Sequence, residues 1–164
     1  MQNTVSQTLA GLQGESTRYA LTPVIRAIAD RLSSQITATG GLAIKAGGSA
    51  LAKTVNTVTY VANGIYGSLA AADMPALTGL SISAGKYNVA VFYVNSAGTT
   101  SVRFGVEGAT AAKVLFPTPP EGSACIGYLL ITYASAFTGG TTALDTATTV
   151  YVNTVGPFDP SIVL

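Results

Sequence analysis

Histidine and tryptophan are missing from this chain, and cysteine occurs once, at Cys125. Without histidine there is no Ser-His-Asp or Cys-His nucleophile and no imidazole-ligated metal. A single cysteine excludes an intrachain disulfide and a zinc finger. Charge is scarce as well: 8 Lys and Arg stand against 7 Asp and Glu, and charged residues make up 9% of the chain, where an ordinary soluble domain carries about 25%. So balanced and sparse a charge gives no electrostatic footprint for nucleic acid or for an anionic lipid surface. What remains is 48% apolar. Few charges on so apolar a chain imply that part of its surface is covered in use, most simply by other copies of itself.

At 164 residues the chain is long enough for one domain with a core, or a domain plus an arm, and too short for two ordinary domains. Mean hydropathy is +0.45, so a membrane span has to be tested. The longest uncharged run lies between Glu121 and Asp145, and its strongly apolar part is only Ile126 to Phe137. That is short of the roughly 20 residues a helical span needs, and Thr138, Gly139, Gly140, Thr141 and Thr142 break it. A buried strand explains it better. The opening residues MQNTVSQTLAGLQ have neither a basic region nor an apolar run, so no secretory signal is read there. The expectation is a protein made and assembled in the cytoplasm, with Cys125 as a small buried hydrophobe.

The composition divides the chain near residue 40. Residues 1–20 are rich in Gln, Thr and Ser, with Val5, Leu9 and Leu12 as the larger apolar groups. They hold too little apolar surface to offset their ordering entropy, and are read as an arm that orders only against a partner or the rest of the fold. Thr22-Pro23 reads as a helix start, since Thr caps and Pro is tolerated at the first helical position. The run Val24 to Ile36 follows without a breaker. Leu21, Ile25, Ile28 and Leu32, spaced 4, 3 and 4, fall on one stripe. These four are the candidate oligomer or shell interface. The plainer reading is a helix packed on its own domain; the sharper one packs it against symmetry mates.

From residue 41 to 164 the pattern is β. Turn signals at Gly47-Gly48, Asn63-Gly64, Ala84-Gly85, Ala97-Gly98, Gly108, Pro119 to Gly122 and Gly139-Gly140 separate runs rich in Val, Thr, Tyr and Phe. Their spacing predicts an antiparallel β-sandwich or barrel-like domain, preceded by the arm and one short α-helix of residues 1–40. The clearest unit is a hairpin: Lys86 to Asn95, a turn at Ser96 to Thr99, and Thr100 to Val106. Val89, Val91 and Tyr93 share one face of its first strand; Asn88, Ala90, Phe92 and Val94 share the other. Both faces are largely apolar, which predicts a central strand covered on both sides. Cys125 to Tyr133 and Thr149 to Val155 read as two further strands.

Motifs for chemistry fail on inspection. GLSISAGK (Gly79 to Lys86) has five residues between its glycines where a phosphate-binding loop needs four, and Tyr87 stands where a Ser or Thr belongs. Ser83 and Lys86 match the bare spacing of an acylating Ser-x-x-Lys pair, but Gly85 and the β context argue against the helix face which that chemistry needs. Glu15, Asp30, Asp73, Glu107, Glu121, Asp145 and Asp159 form no short acidic motif. Tyr60, Tyr66, Tyr87, Tyr93, Tyr128, Tyr133 and Tyr151 raise the idea of a sugar-stacking platform; core or interface positions suit tyrosines in strands better. No catalytic residue, cofactor site or metal site is predicted.

Several stretches together resemble small virion structural proteins of tailed bacteriophages, of the head decoration or head fibre type. They are LAKTVNTVTYVANGIYGSLAAADMPAL, KYNVAVFYVNSAGTTSVRFG, VLFPTPPEGSACIGYLLITYASAFTGGTTALD and TVYVNTVGPFD, within residues 42–158. The resemblance implies a non-enzymatic capsid decoration or cement protein on the outside of the virion. It would bind the major capsid protein as a symmetric homo-oligomer, a trimer, with no nucleic acid and no membrane as partner. The alternative it implies is a head-fibre or tail-associated adhesin that binds the host surface.

Overall fold

A computed structural model of the chain describes residues 15–158. Helix α1 spans Glu15–Leu32, and eleven strands follow among the described residues: β1 Gln35–Ala38, β2 Leu42–Ile44, β3 Ala52–Thr54, β4 Val58–Ala62, β5 Ile65–Leu69, β6 Ser81–Ile82, β7 Tyr87–Asn95, β8 Thr100–Phe104, β9 Ser123–Thr132, β10 Phe137–Thr138 and β11 Thr148–Asn153. The strand pairings are antiparallel. The expected fold class, a mainly β, sandwich-like domain with one short helix ahead of it, is what the structure shows.

The helix differs from its expected bounds at both ends. It starts at Glu15, so residues 15–20 belong to it and not to the arm; residues 1–14 lie outside the described residues. Pro23 sits inside the helix, and the turn before it forgoes one backbone hydrogen bond. The helix also stops four residues short of Ile36. After Ser33 N–H donates to Ala29 O (3.0 Å), the chain turns extended, and Ile36 is buried in β1 against β4. Burial of Ile36 in the sheet outweighs the unbroken helical pattern of the preceding residues, as tertiary packing commonly does. The β-rich part therefore takes in residues before 40.

A four-stranded sheet in the order β11-β9-β7-β8 faces a three-stranded sheet, β1-β4-β5, and the small pair β2-β3. Ala90, Phe92 and Val94 of β7 and Ala124, Ile126, Leu129 and Ile131 of β9 form one wall of the main core. Ile36, Val58, Tyr60 and Ala62 form the opposite wall, and Met74, Leu77, Leu80, Phe137 and Leu144 close its end. The outer face of the large sheet carries a second cluster of Val89, Val91, Tyr93 and Cys125. The connection between β8 and β9 covers it through Val114 and Phe116, with Phe158 alongside. The seven residues between Tyr87 and Asn95 are accordingly all buried, as the two apolar faces predict.

Two local devices set the register. Asn63 (φ 51°) and Gly64 (φ 75°) form a two-residue turn between β4 and β5, with the paired left-handed residues that match strand twist. In the β7–β8 turn, Asn95 Oδ1 accepts from Ala97 N (3.0 Å) and Thr99 N (2.9 Å). The β7–β9 pairing contains one irregularity: Phe92 lies opposite Gly127 and Tyr93 opposite Cys125. The extra residue, Ile126, is a bulge. It switches the parity of β9, so that Ala124 before it, Ile126 itself, and Leu129 and Ile131 after it all reach the main core.

Candidate functional site

The four predicted interface residues lie on one helix, and none of them belongs to either buried core. Leu21 and Ile25 are half-buried, whereas Ile28 is 53% and Leu32 65% exposed. Val24, beside them, is 51% exposed. In heptad terms Ile25 and Leu32 are a positions and Leu21 and Ile28 are d positions, the arrangement of a coiled-coil seam. The C-terminal half of this stripe is thus the more exposed one.

Three of the described carboxylates, Asp73, Asp145 and Glu107, hold loops in place. Asp73 Oδ2 meets Lys45 Nζ at 2.5 Å on the surface. Asp145 Oδ2 accepts from Gly48 N (2.7 Å). Glu107 accepts from Ser83 N (2.9 Å) through Oε2 and from Ser83 Oγ (3.0 Å) through Oε1. The Ser83 N–H and hydroxyl, with Lys86 nearby, hold the Glu107 carboxyl below its ordinary value. Ser83 to Lys86 closes as a tight turn, with Lys86 N donating to Ser83 O (3.0 Å). The Ser83 hydroxyl is thus spent on Glu107, and GLSISAGK is a strand and turn. Among the described residues no three Cys, Asp or Glu side chains gather as a metal ion would require, and no helix is long and apolar enough to cross a membrane.

Cys125 is free and buried. Burial pushes its thiol up to about 12, so it stays protonated at neutral pH. Opposite it in the register, Tyr93 is wholly buried with a hydroxyl that has no hydrogen-bond partner among the described residues; burial and then the neighbouring Cys125 hold that phenol well above its ordinary range. Tyr128 packs edge-on to Phe116, with ring centroids 5.0 Å apart, and stacks with Phe158 at 6.0 Å. Tyr60 is buried, and Tyr87, Tyr133 and Tyr151 are half-buried. Only Tyr66, at 68%, is broadly exposed among the tyrosines whose side chains are described. The aromatic strands therefore do not lay out a row of stacking rings.

Sequence reasoning missed a second exposed surface, the free edge of β5 with Ile65 and Tyr66. Part of its signal was in plain view: residues 54–72 contain no charged residue, where an open sheet edge is usually guarded by charge. Comparison with family models, with curated proteins and with solved structures finds no match for this chain.

Proposed function

We propose that this chain is a non-enzymatic structural subunit of a tailed-bacteriophage virion, a decoration or cement protein on the capsid exterior. It assembles in the host cytoplasm as a symmetric oligomer, a trimer, and binds the major capsid protein without nucleic acid, membrane or cofactor. The observation that carries the reading is the outward half of the α1 stripe. Ile28 and Leu32 expose apolar surface at seam spacing on a protein with few charges, as a subunit that completes its burial on assembly would. The virion assignment rests on the sequence resemblance over residues 42–158. The trimer, like the virion assignment, is what the resemblance implies. The mechanism is passive. Apolar contacts and the segment 1–20 bridge neighbouring shell subunits, and their sum resists the outward pressure of packaged DNA.

The test is co-sedimentation of the purified chain with capsid shells that lack it, before and after expansion. Saturable binding at a fixed fraction of shell subunits supports decoration, and preference for expanded shells indicates a site created by maturation. No binding to either shell by folded protein overturns it and turns attention to the adhesin reading. Removal of residues 1–20 is expected to abolish shell binding; unchanged binding would locate the shell contacts elsewhere.

A further inference from the structure

Strand β5 pairs with β4 on one side only, and its other edge is open among the described residues. Such an edge is ordinarily blunted by a charge, a proline or a bulge. Here the strand reads Ile-Tyr-Gly-Ser-Leu, and its pairing with β4 runs without a register shift. The other edges are better guarded. Gly156 N–H donates to Ile36 O (2.7 Å) at the edge of β1, Arg103 stands on β8, and β2 approaches β11 where Leu42 N donates to Asn153 Oδ1 (2.7 Å).

The two-residue turn makes Ala62 and Ile65 the first hydrogen-bonded pair of the β4–β5 ladder. With the register Val61↔Tyr66, Tyr60↔Gly67 and Thr59↔Ser68, the backbone groups of Ile65, Gly67 and Leu69 then point to β4, and those of Tyr66 and Ser68 point outward. We propose that this edge pairs antiparallel with β5 of a second copy, about a two-fold axis at Gly67. Tyr66 then exchanges both backbone hydrogen bonds with Ser68 of the other copy, twice over. Gly67 meets Gly67 at the axis. On the core-side face, Ile65, 54% exposed, comes opposite the half-buried Leu69 of the other copy, so apolar surface meets apolar surface. On the other face, the ring of Tyr66 covers Ser68. The uncharged stretch 54–72 means that two copies approach without like-charge repulsion. A second copy is the occupant because it brings the exposed Ile65 onto Leu69 and sets no charge against the uncharged edge. This pairing stands on the edge alone, and depends neither on α1 nor on a role in a particle.

The test uses the full-length protein in two measurements. In the first, Tyr66→Cys and Ser68→Cys variants are mixed under mild oxidation. A disulfide joining the two introduced thiols, one from each variant, is expected in the mixture, since hydrogen-bonded antiparallel pairs lie about 5.5 Å apart at Cα. In the second, sedimentation compares wild type with Ser68→Lys, with circular dichroism as the control for folding. The substitution is expected to weaken self-association roughly tenfold or more. Absence of the link between positions 66 and 68 overturns the pairing, whatever oligomer α1 sustains. Identical sedimentation of wild type and the folded lysine variant overturns it equally.

Discussion

Tyr60 on β4 fills the space that Gly67 on β5 leaves empty. The two are register partners, and a Cβ at residue 67 would come within 2.6 Å of Tyr60 Cζ. The ring is buried, so the glycine is a packing requirement and not a turn signal. Gly67→Ala is expected to destabilise the fold by about 1–3 kcal/mol, the usual cost of overpacking. Urea unfolding would read this as a lower midpoint at unchanged slope.

Gly127 marks the bulge of β9, and its demand is stricter. It adopts φ +155°, and a Cβ there would lie 2.3 Å from Val152 O and 2.7 Å from Leu42 Cδ1. Backbone strain and overpacking act together, so Gly127→Ala should cost about 3 kcal/mol or more. Loss of folded protein on expression, or a large fall in thermal midpoint, is the expected result. A near-neutral outcome would mean that β11 and β2 yield easily at this point.

Glu107 couples the β6–β7 turn to pH. Its carboxyl is held below the ordinary value of 4.5 in the folded state. A depressed carboxyl contributes stability that is fully present above the unfolded value and is lost as pH falls through the folded one. Glu107→Gln removes that dependence. Stability of the variant, followed by denaturant unfolding from pH 7 downward, should fall less steeply below about pH 4.5 than that of wild type.

Ile28→Ser with Leu32→Ser tests what the helix is for. Both side chains are exposed, so the folded chain loses little by their removal, within about 0.5 kcal/mol. Under the decoration reading the same pair should abolish oligomer formation or shell binding. Calorimetry with sedimentation separates the two effects. A large fall in stability would instead mean that the stripe packs on its own domain.

Much of this architecture was legible because strand periodicity and turn chemistry are local. Asn63-Gly64, Ala97-Gly98 and the two apolar faces between Asn88 and Val94 each act over a few residues, and their elements fall where the sequence puts them. The helix bounds were not legible. Ile36 belongs to β1 because of Val58, Tyr60 and Ala62, which lie more than twenty residues away and are invisible to a helical pattern. The bulge at Ile126 was half legible. An isolated glycine inside the apolar run Cys125 to Tyr133 is the usual sign of one, but the partner backbone at Val152 is what enforces it. Of the candidate site, the helix stripe could be read from spacing. The lack of charge around β5 could be read too, but not that β5 is an edge, since a strand's place at the margin of a sheet depends on which strands decline to join it.

The burial of β7 on both faces has a consequence for how the protein is made. Its two ladder neighbours do not arrive together: β8 follows within a few residues, but β9 begins only at Ser123. Between those moments a nascent chain carries Val89 to Val94, apolar on every side and free of charge and proline, with one edge unpaired. Such a segment is a template for intermolecular strand addition until its second neighbour is synthesised. The connection of residues 105–122 thus sets how long that edge stays open while the chain is made.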